Sequence, residues 1–441
     1  MWEADNKMAN FDLNPGSANY GKLVTAQNGS IRARSFVKLD KNNFAPRVGF
    51  SYALDPKTVV RGSFGTFYGG LGFQAIAQLG AANPPYSVSI TAPSATTAAT
   101  SQLQLATGFP ANFLDPARAV NPNLVSFAEN FPIAEIYQWN LNVQREFFGQ
   151  TVFSIAYVGS SSAHLRGLND LNAPPPGAGA INPRRPFPTF RAITHASPFA
   201  HATYHSLQLK AERRFSNGFS LLSAYTWSHS LDNSVDGEDT GNGAVTPQDP
   251  RNTNAEKASS GIDLRHRWVT SAIYDLPFGG KSGWLSRNAA TRAIFGGWQL
   301  GGIFNAQTGF ALSPTVAPNP ANTTTTARPN LLRDPNLSRD DRTVDRWYAP
   351  AAFATPAQFN FGTSSRSVIR APGLVNLDLL IARNFQITER FRAEFRSEMY
   401  NATNSVHFGR PNVQTNAAQA GRITTTQVPN RQVQFGLRLV F

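Results

Sequence analysis

A chain of 441 residues without a single cysteine has no disulfide framework and no thiolate metal site. Its mean hydropathy of −0.29 and the lack of any run of about 18 apolar residues exclude a transmembrane helix. They leave open a membrane β-barrel, whose strands alternate instead of running apolar. The net charge of +13 raises nucleic acid as a partner. No basic cluster concentrates that charge, so it reads as solvated strand faces and loops, and no nucleic-acid partner is expected.

Residues 1–43 are polar and turn-rich and read as loop. Phe44–Leu54 then alternates apolar and polar residues, Asp55-Pro56-Lys57 turns the chain, and Thr58–Tyr68 returns: a hairpin by pattern. The stretch 69–135 is rich in Ala, Thr, Ser and Pro, with one short extra strand expected near Tyr86–Thr91. Ile136–Phe147 then carries Tyr137, Trp139, Leu141, Val143 and Phe147 on one face. Gln138, Asn140, Asn142, Gln144 and Glu146 fall on the other. Gly149-Gln150 turns it into Thr151–Ser162. A Pro/Gly-rich loop, 163–203, precedes Tyr204–Phe215, and Ser216-Asn217-Gly218 turns into Phe219–Ser230. The polar loop 231–263 leads to Leu264–Leu276. Connection 277–296, with a short helix expected over Leu285–Ile294, leads to Gly297–Phe310. Loop 311–373 is followed by the hairpin Leu374–Phe385 and Arg390–Asn401, then loop 402–430 and a last strand, Arg431–Phe441.

Short turns, with one longer exception at 277–296, thus alternate with long loops between the strands. Soluble sandwiches keep loops short throughout, whereas outer-membrane barrels put short turns on the periplasmic side and long loops outside. The fold class expected is therefore all-β, a transmembrane antiparallel barrel, with outer-membrane lipid as its surroundings. Tyr137, Trp139, Tyr225, Trp227 and Trp268 fall at the loop-side ends of their strands, and Phe147, Phe215 and Phe385 at the turn-side ends. Two aromatic girdles at two interfaces are the expectation. Arg145, Arg213 and Arg383 each precede such a Phe by two residues on the apolar face, where an interfacial arginine snorkels at low cost.

Little in the chain reads as chemistry. Phe278–Ser282 ends like a phosphate loop, but Asp275 stands where its first glycine belongs. His195, His201 and His205 fit no metal-ligand spacing. The acidic stretch Asp232–Asp239 misses the spacing of a calcium loop. Glu394 and Glu398 lie among Arg390, Arg392 and Arg396 and read as a satisfied polar face. No catalytic residues and no cofactor are expected, and the protein does not read as an enzyme.

Several stretches resemble the barrel of TonB-dependent outer-membrane receptors, specifically the Oar-like group. They are Asn43–Tyr52 with Thr58–Tyr68, Gln138–Glu146, Tyr204–Lys210, Ala224–Ser228, His266–Trp268 and Tyr274–Gly279. The resemblance implies a 22-stranded barrel closed by an amino-terminal plug, importing bulky substrates with energy from the inner-membrane TonB complex. It also implies that Gln434, Gly436, Leu439 and Phe441 form the signal read by the barrel assembly machinery. Eleven strands are half of that barrel. Residues 1–43 are accordingly expected to be extracellular loop and 44–441 the carboxy-terminal half of the barrel. Neither plug nor signal peptide is read at Met1–Lys7, so contact with TonB would run through the missing plug. The alternative function is a non-transporting structural or adhesive surface barrel.

Overall fold

The computed structural model describes residues 6–69, 80–84, 87, 121–234, 247–278 and 294–441. Eleven long strands form one antiparallel meander in which neighbours in sequence are neighbours in the sheet. They are β1 Arg47–Asp55, β2 Thr58–Gly69, β3 Ala134–Phe147, β4 Thr151–Asp170, β5 Ile193–Ser216 and β6 Phe219–Asp232. β7 His266–Asp275, β8 Trp298–Gln307, β9 Leu374–Gln386, β10 Arg392–Tyr400 and β11 Gln432–Val440 complete it. Each of the eleven long strands expected is present. Among the described residues β1 and β11 are paired on one side only, and they form the two edges of an open sheet.

Local chemistry sets the short turns. Asp55 takes the backbone N–H of Lys57 at 2.8 Å and the Thr58 hydroxyl at 2.9 Å, fixing the β1–β2 hairpin. Asn217 and Gly218 both have positive φ, 52° and 76°, as the tightest antiparallel hairpins require. Four short connections, 56–57, 148–150, 217–218 and 387–391, lie at this end of the sheet together with one longer connection, 276–297. The expected helix over Leu285–Ile294 lies outside the described residues except at Ile294, which is helical with Phe295. The expected strand near Tyr86–Thr91 also lies outside them, apart from Ser87, which is not in a strand.

At the other end, two expectations need correction. Residues 163–203, read as loop, include the continuation of β4 to Asp170 and the start of β5 at Ile193. The register shifts between Ser162 and Leu165 and again before Gly167. Those irregularities break the period-two pattern on which the sequence reading depends. Residues 6–43, also read as loop, contain a hairpin of Ala9–Phe11 with Leu23–Thr25 and a short helix, Ile31–Ser35. Three-residue strands are too short to show a period.

Burial is inverted relative to a soluble domain. The buried apolar clusters lie in the loop-side structure: Leu312, Tyr348, Phe353 and Ile369 in one, Met8, Phe127 and Phe131 in a second, Phe11, Leu124 and Ile193 in a third. The long sheet instead leaves its apolar face bare, with Phe435 70 % and Leu437 71 % exposed. A continuous apolar face of that extent marks an interaction with an apolar medium. No helix among the described residues is long and apolar enough to cross a membrane, so the strands are the elements that can.

Candidate functional site

Strand register builds the apolar face row by row. Tyr52, Val60, Val143, Ile155, Leu209, Tyr225, Trp268, Ala306 and Val375 lie side by side across nine strands. One residue along, the opposite face presents Gln144, Ser154, Lys210, Asn305 and Asn376. Antiparallel pairs share a face, so a period-two sequence yields one greasy and one wet wall.

The aromatic residues singled out in the sequence sit on the greasy wall, each with a defined partner or exposure, except Phe215, which lies in the register shift between Arg213 and Ser216. At the loop side, the Tyr137 hydroxyl donates to Glu135 at 2.9 Å and its ring stacks on Phe64. Trp139 lies over Gly159, where any Cβ would collide with the indole. The Tyr225 hydroxyl and His266 Nδ1 are 2.8 Å apart, Trp268 donates to the Ser223 hydroxyl at 3.0 Å, and Trp227 is 52 % exposed. At the turn side, Phe147 meets Phe153 edge-on at 5.3 Å, and Phe215 is exposed. The arginines of the Arg-x-Phe repeats lie over rings there. Arg383 is 4.2 Å from the Phe385 centroid and 5.3 Å from that of Trp298, Arg145 is 5.7 Å from Phe147, and Arg213 is 5.4 Å from Phe219. Trp139 and Phe147 are eight residues apart, roughly 27 Å along a strand. Tilted by about 35–45° as barrel strands are, that is about 19–22 Å, which fits inside an apolar band of about 25 Å.

The carboxy-terminal strand obeys the same rule. Gln434 pairs with Glu398 and Gly436 with Arg396 on the wet face, while Leu439 pairs with Ala393 on the greasy one. Phe441 lies past the strand, its ring 6.4 Å from Phe391. Glu394 is held by Arg392 at 2.7 Å and Arg438 at 3.9 Å, and Glu398 accepts the Tyr400 hydroxyl at 3.1 Å. These carboxylates are partnered, as the sequence suggested.

Sequence reasoning missed the loop-side cap. Its loops are cross-tied into one folded layer by a buried ionic network. Arg328 pairs through both terminal nitrogens with Glu256, and Arg366 bonds Asp232 and the Glu256 carbonyl. Arg370 and Arg265 share Asp263, which also accepts the Ser230 N–H at 2.8 Å. Tyr348 donates to the Asn412 carbonyl, and burial pushes its phenol up to about 12. Asn172 donates to the carbonyls of Phe187, Phe190 and Arg191 and accepts the Phe187 N–H. Apart from Arg265 with Asp263, the ion-pair partners lie 72, 107 and 134 residues apart, so no local motif announces them. Buried ions are tolerated only when paired and hydrogen-bonded, which makes these loops a rigid platform.

Among solved structures the chain is similar to several outer-membrane proteins at very low identity. The outer membrane transporter YddB from Escherichia coli superposes with a TM-score of 0.50 at 8% identity, over 90% of this chain and 40% of that one. The pyoverdine outer membrane receptor FpvA from Pseudomonas aeruginosa gives 0.42 at 10%, over 97% and 37%. The siderophore receptor PiuA from Acinetobacter baumannii gives 0.41 at 8%, over 89% and 35%. The chain thus spans well under half the length of these proteins. No curated protein matches it in sequence. The family model described as the outer membrane beta barrel domain matches residues 1–434. The alternating wall, its bare apolar face and that near-complete match agree: the chain belongs to the outer membrane beta barrel domain family and resides in the outer membrane.

Proposed function

We propose that the chain is the carboxy-terminal half of the barrel of a TonB-dependent receptor of the Oar-like group, a transporter of a bulky substrate across the outer membrane. The observation that carries this reading is the direction of the two sheet edges. β1 runs from the loop side toward the short turn at Asp55, and β11 runs the same way after loop 402–430. Joined to each other, or to a second copy standing beside them, they would make a parallel seam in an antiparallel wall. Both edges fit a meander that begins and ends with a strand running toward the loop side, hence an odd number of strands. Eleven plus an odd number is even, as in bacterial single-chain barrels. Left unpaired in lipid, each edge group costs several kcal/mol.

On this reading the short turns are periplasmic and the cap, with residues 6–43, is extracellular. The aromatic rows are the two interfacial girdles, and Gln434, Gly436, Leu439 and Phe441 address the chain to the barrel assembly machinery. Contact with TonB belongs to a plug encoded upstream. The test is to express the complete gene in cells with and without TonB, with cysteine at Phe435 and at positions along the upstream barrel segment. Outer-membrane recovery, a disulfide between β11 and an upstream strand, and TonB-dependent uptake support the proposal. Recovery in the soluble periplasm overturns it. A sealed outer-membrane barrel without plug or TonB dependence favours a structural or adhesive role instead.

A further inference from the structure

The amino-terminal hairpin, the strand Leu124–Phe127 and the loop-side extension of β5 enclose a cleft of about 710 Å³. That size is ordinary for a small-ligand site. Phe36 and Phe127 are among its lining residues, their rings 5.9 Å apart at 56°, with Phe127 buried and Phe36 half-buried. Its walls are amides and hydroxyls. Among the described residues no hydrogen bond takes the side chains of Gln27 or Asn130, and both are exposed at the cleft. Although the chain carries +13, the cleft does not share that excess. Among the described residues that line it there is one cation, Lys38, against two carboxylates, Asp12 and Glu129, with Lys38 Nζ 3.8 Å from Glu129.

One histidine sharpens the chemistry. Ser126 is buried and its hydroxyl donates to the Phe11 carbonyl at 2.6 Å. That hydroxyl has only one proton, so at its 3.1 Å contact with His195 Nδ1 it must accept. Nδ1 therefore carries the ring proton, and Nε2 is left as an acceptor. Burial holds this imidazole down to about 4, so it is neutral at pH 7. Among the described residues the cleft is then lined by a neutral imidazole, amides that both donate and accept, the half-buried Phe36 ring and no excess of cations over carboxylates.

We propose that this cleft binds a neutral, hydroxyl-rich ligand: a short neutral oligosaccharide. Hydroxyl groups donate and accept at once, matching amides and a neutral imidazole, and the apolar face of a sugar ring suits the half-buried Phe36 ring. An anionic ligand would meet Asp12 and Glu129. The proposal rests on the reading that the loop side is extracellular, where such a ligand would be met.

The test uses the complete gene product purified in a detergent whose head group contains no sugar. Neutral gluco-, manno- and xylo-trisaccharides are titrated by calorimetry and saturation-transfer NMR, beside an anionic trigalacturonate and a neutral tripeptide. Saturable binding of a neutral trisaccharide, weakened about tenfold in the pair Gln27→Ala and Asn130→Ala, supports the proposal. Both residues are exposed, so the fold is expected to survive, and unchanged far-UV circular dichroism checks it. No binding by any neutral trisaccharide, binding unchanged in the double variant, or tighter binding of trigalacturonate or tripeptide overturns it. Sugar binding without TonB-dependent uptake would overturn only the transport reading. Uptake without sugar binding would overturn only this one.

Discussion

Arg366 reaches Asp232 across 134 residues of chain, and both side chains are buried. Asp232 ends β6, where the sheet gives way to the cap, while Arg366 belongs to the loop between β8 and β9. The same guanidinium donates to the Glu256 carbonyl at 2.7 Å and lies 3.7 Å from the Glu256 carboxylate, which Arg328 also grips. One side chain therefore ties two loops to the top of the wall.

Removing that tie should loosen the cap without dissolving the sheet. Arg366→Ala strands a buried carboxylate at Asp232, and breaking such a pair typically costs about 3–5 kcal/mol. Limited proteolysis of the loop 311–373 should accelerate strongly in the variant, while far-UV circular dichroism keeps its β signal. A cap as resistant as in the parent would show that the network contributes little.

The two faces of β5 make a sharper contrast. Leu209 lies in the middle row of the apolar wall and Gln208 next to it on the polar one. An arginine at mid-membrane depth costs about 2–4 kcal/mol. Leu209→Arg should therefore lower folded, heat-modifiable protein in outer membranes, whereas Gln208→Arg should leave it unchanged. Equal losses would argue against the face assignment.

Packing of Trp139 on Gly159 leaves no space for a side chain. Gly159→Val should displace the indole, and with it the ring contact to His205, whose centroid lies 6.0 Å away. Stability should fall by about 1–3 kcal/mol as for other overpacked sites. The Trp139 share of fluorescence quenching by lipids brominated near the head group should change in parallel.

His195 gives the cap a pH dependence. Its imidazole lies near 4 in the folded protein because it is buried, against an ordinary 6.5. The unfolded chain therefore takes up the proton first. The stability is fully present above about pH 6.5 and is lost as pH falls toward 4, a swing on the order of 3 kcal/mol. Thermal melting of the cap, followed by protease resistance between pH 7.5 and 4.5, should show the loss, and His195→Gln should flatten it. A variant with the parent's acid sensitivity would assign the effect to other groups.

Much of the wall was legible because a sheet with one lipid face writes its geometry into alternate residues. Tyr137, Trp139, Leu141 and Val143 announce β3 and its outward face without help from any other strand. The cap was not legible, for two physical reasons. Its strands, such as Ala9–Phe11 and Ala311–Leu312, are too short to carry a period. Its stability comes from pairs such as Arg328 with Glu256, 72 residues apart, that only the folded chain brings together. The upper parts of β4 and β5 were hidden by bulges near Ser162 and Leu165. The arginines at 145, 213 and 383 were correctly placed on the apolar face, but their aromatic partners on neighbouring strands, Trp298 and Phe219, were not foreseen.

The most direct measurement is a nitroxide scan of β3, one label at a time from Glu135 to Phe147, in protein reconstituted in lipid. Accessibility to oxygen and to a water-soluble nickel chelate is read at each position. The wall described here predicts a period of two. Oxygen access should peak at 137, 139, 141 and 143 and be deepest at 141 and 143, with nickel access peaking at 138, 140, 142 and 144. A flat profile, or one in the opposite phase, would contradict it.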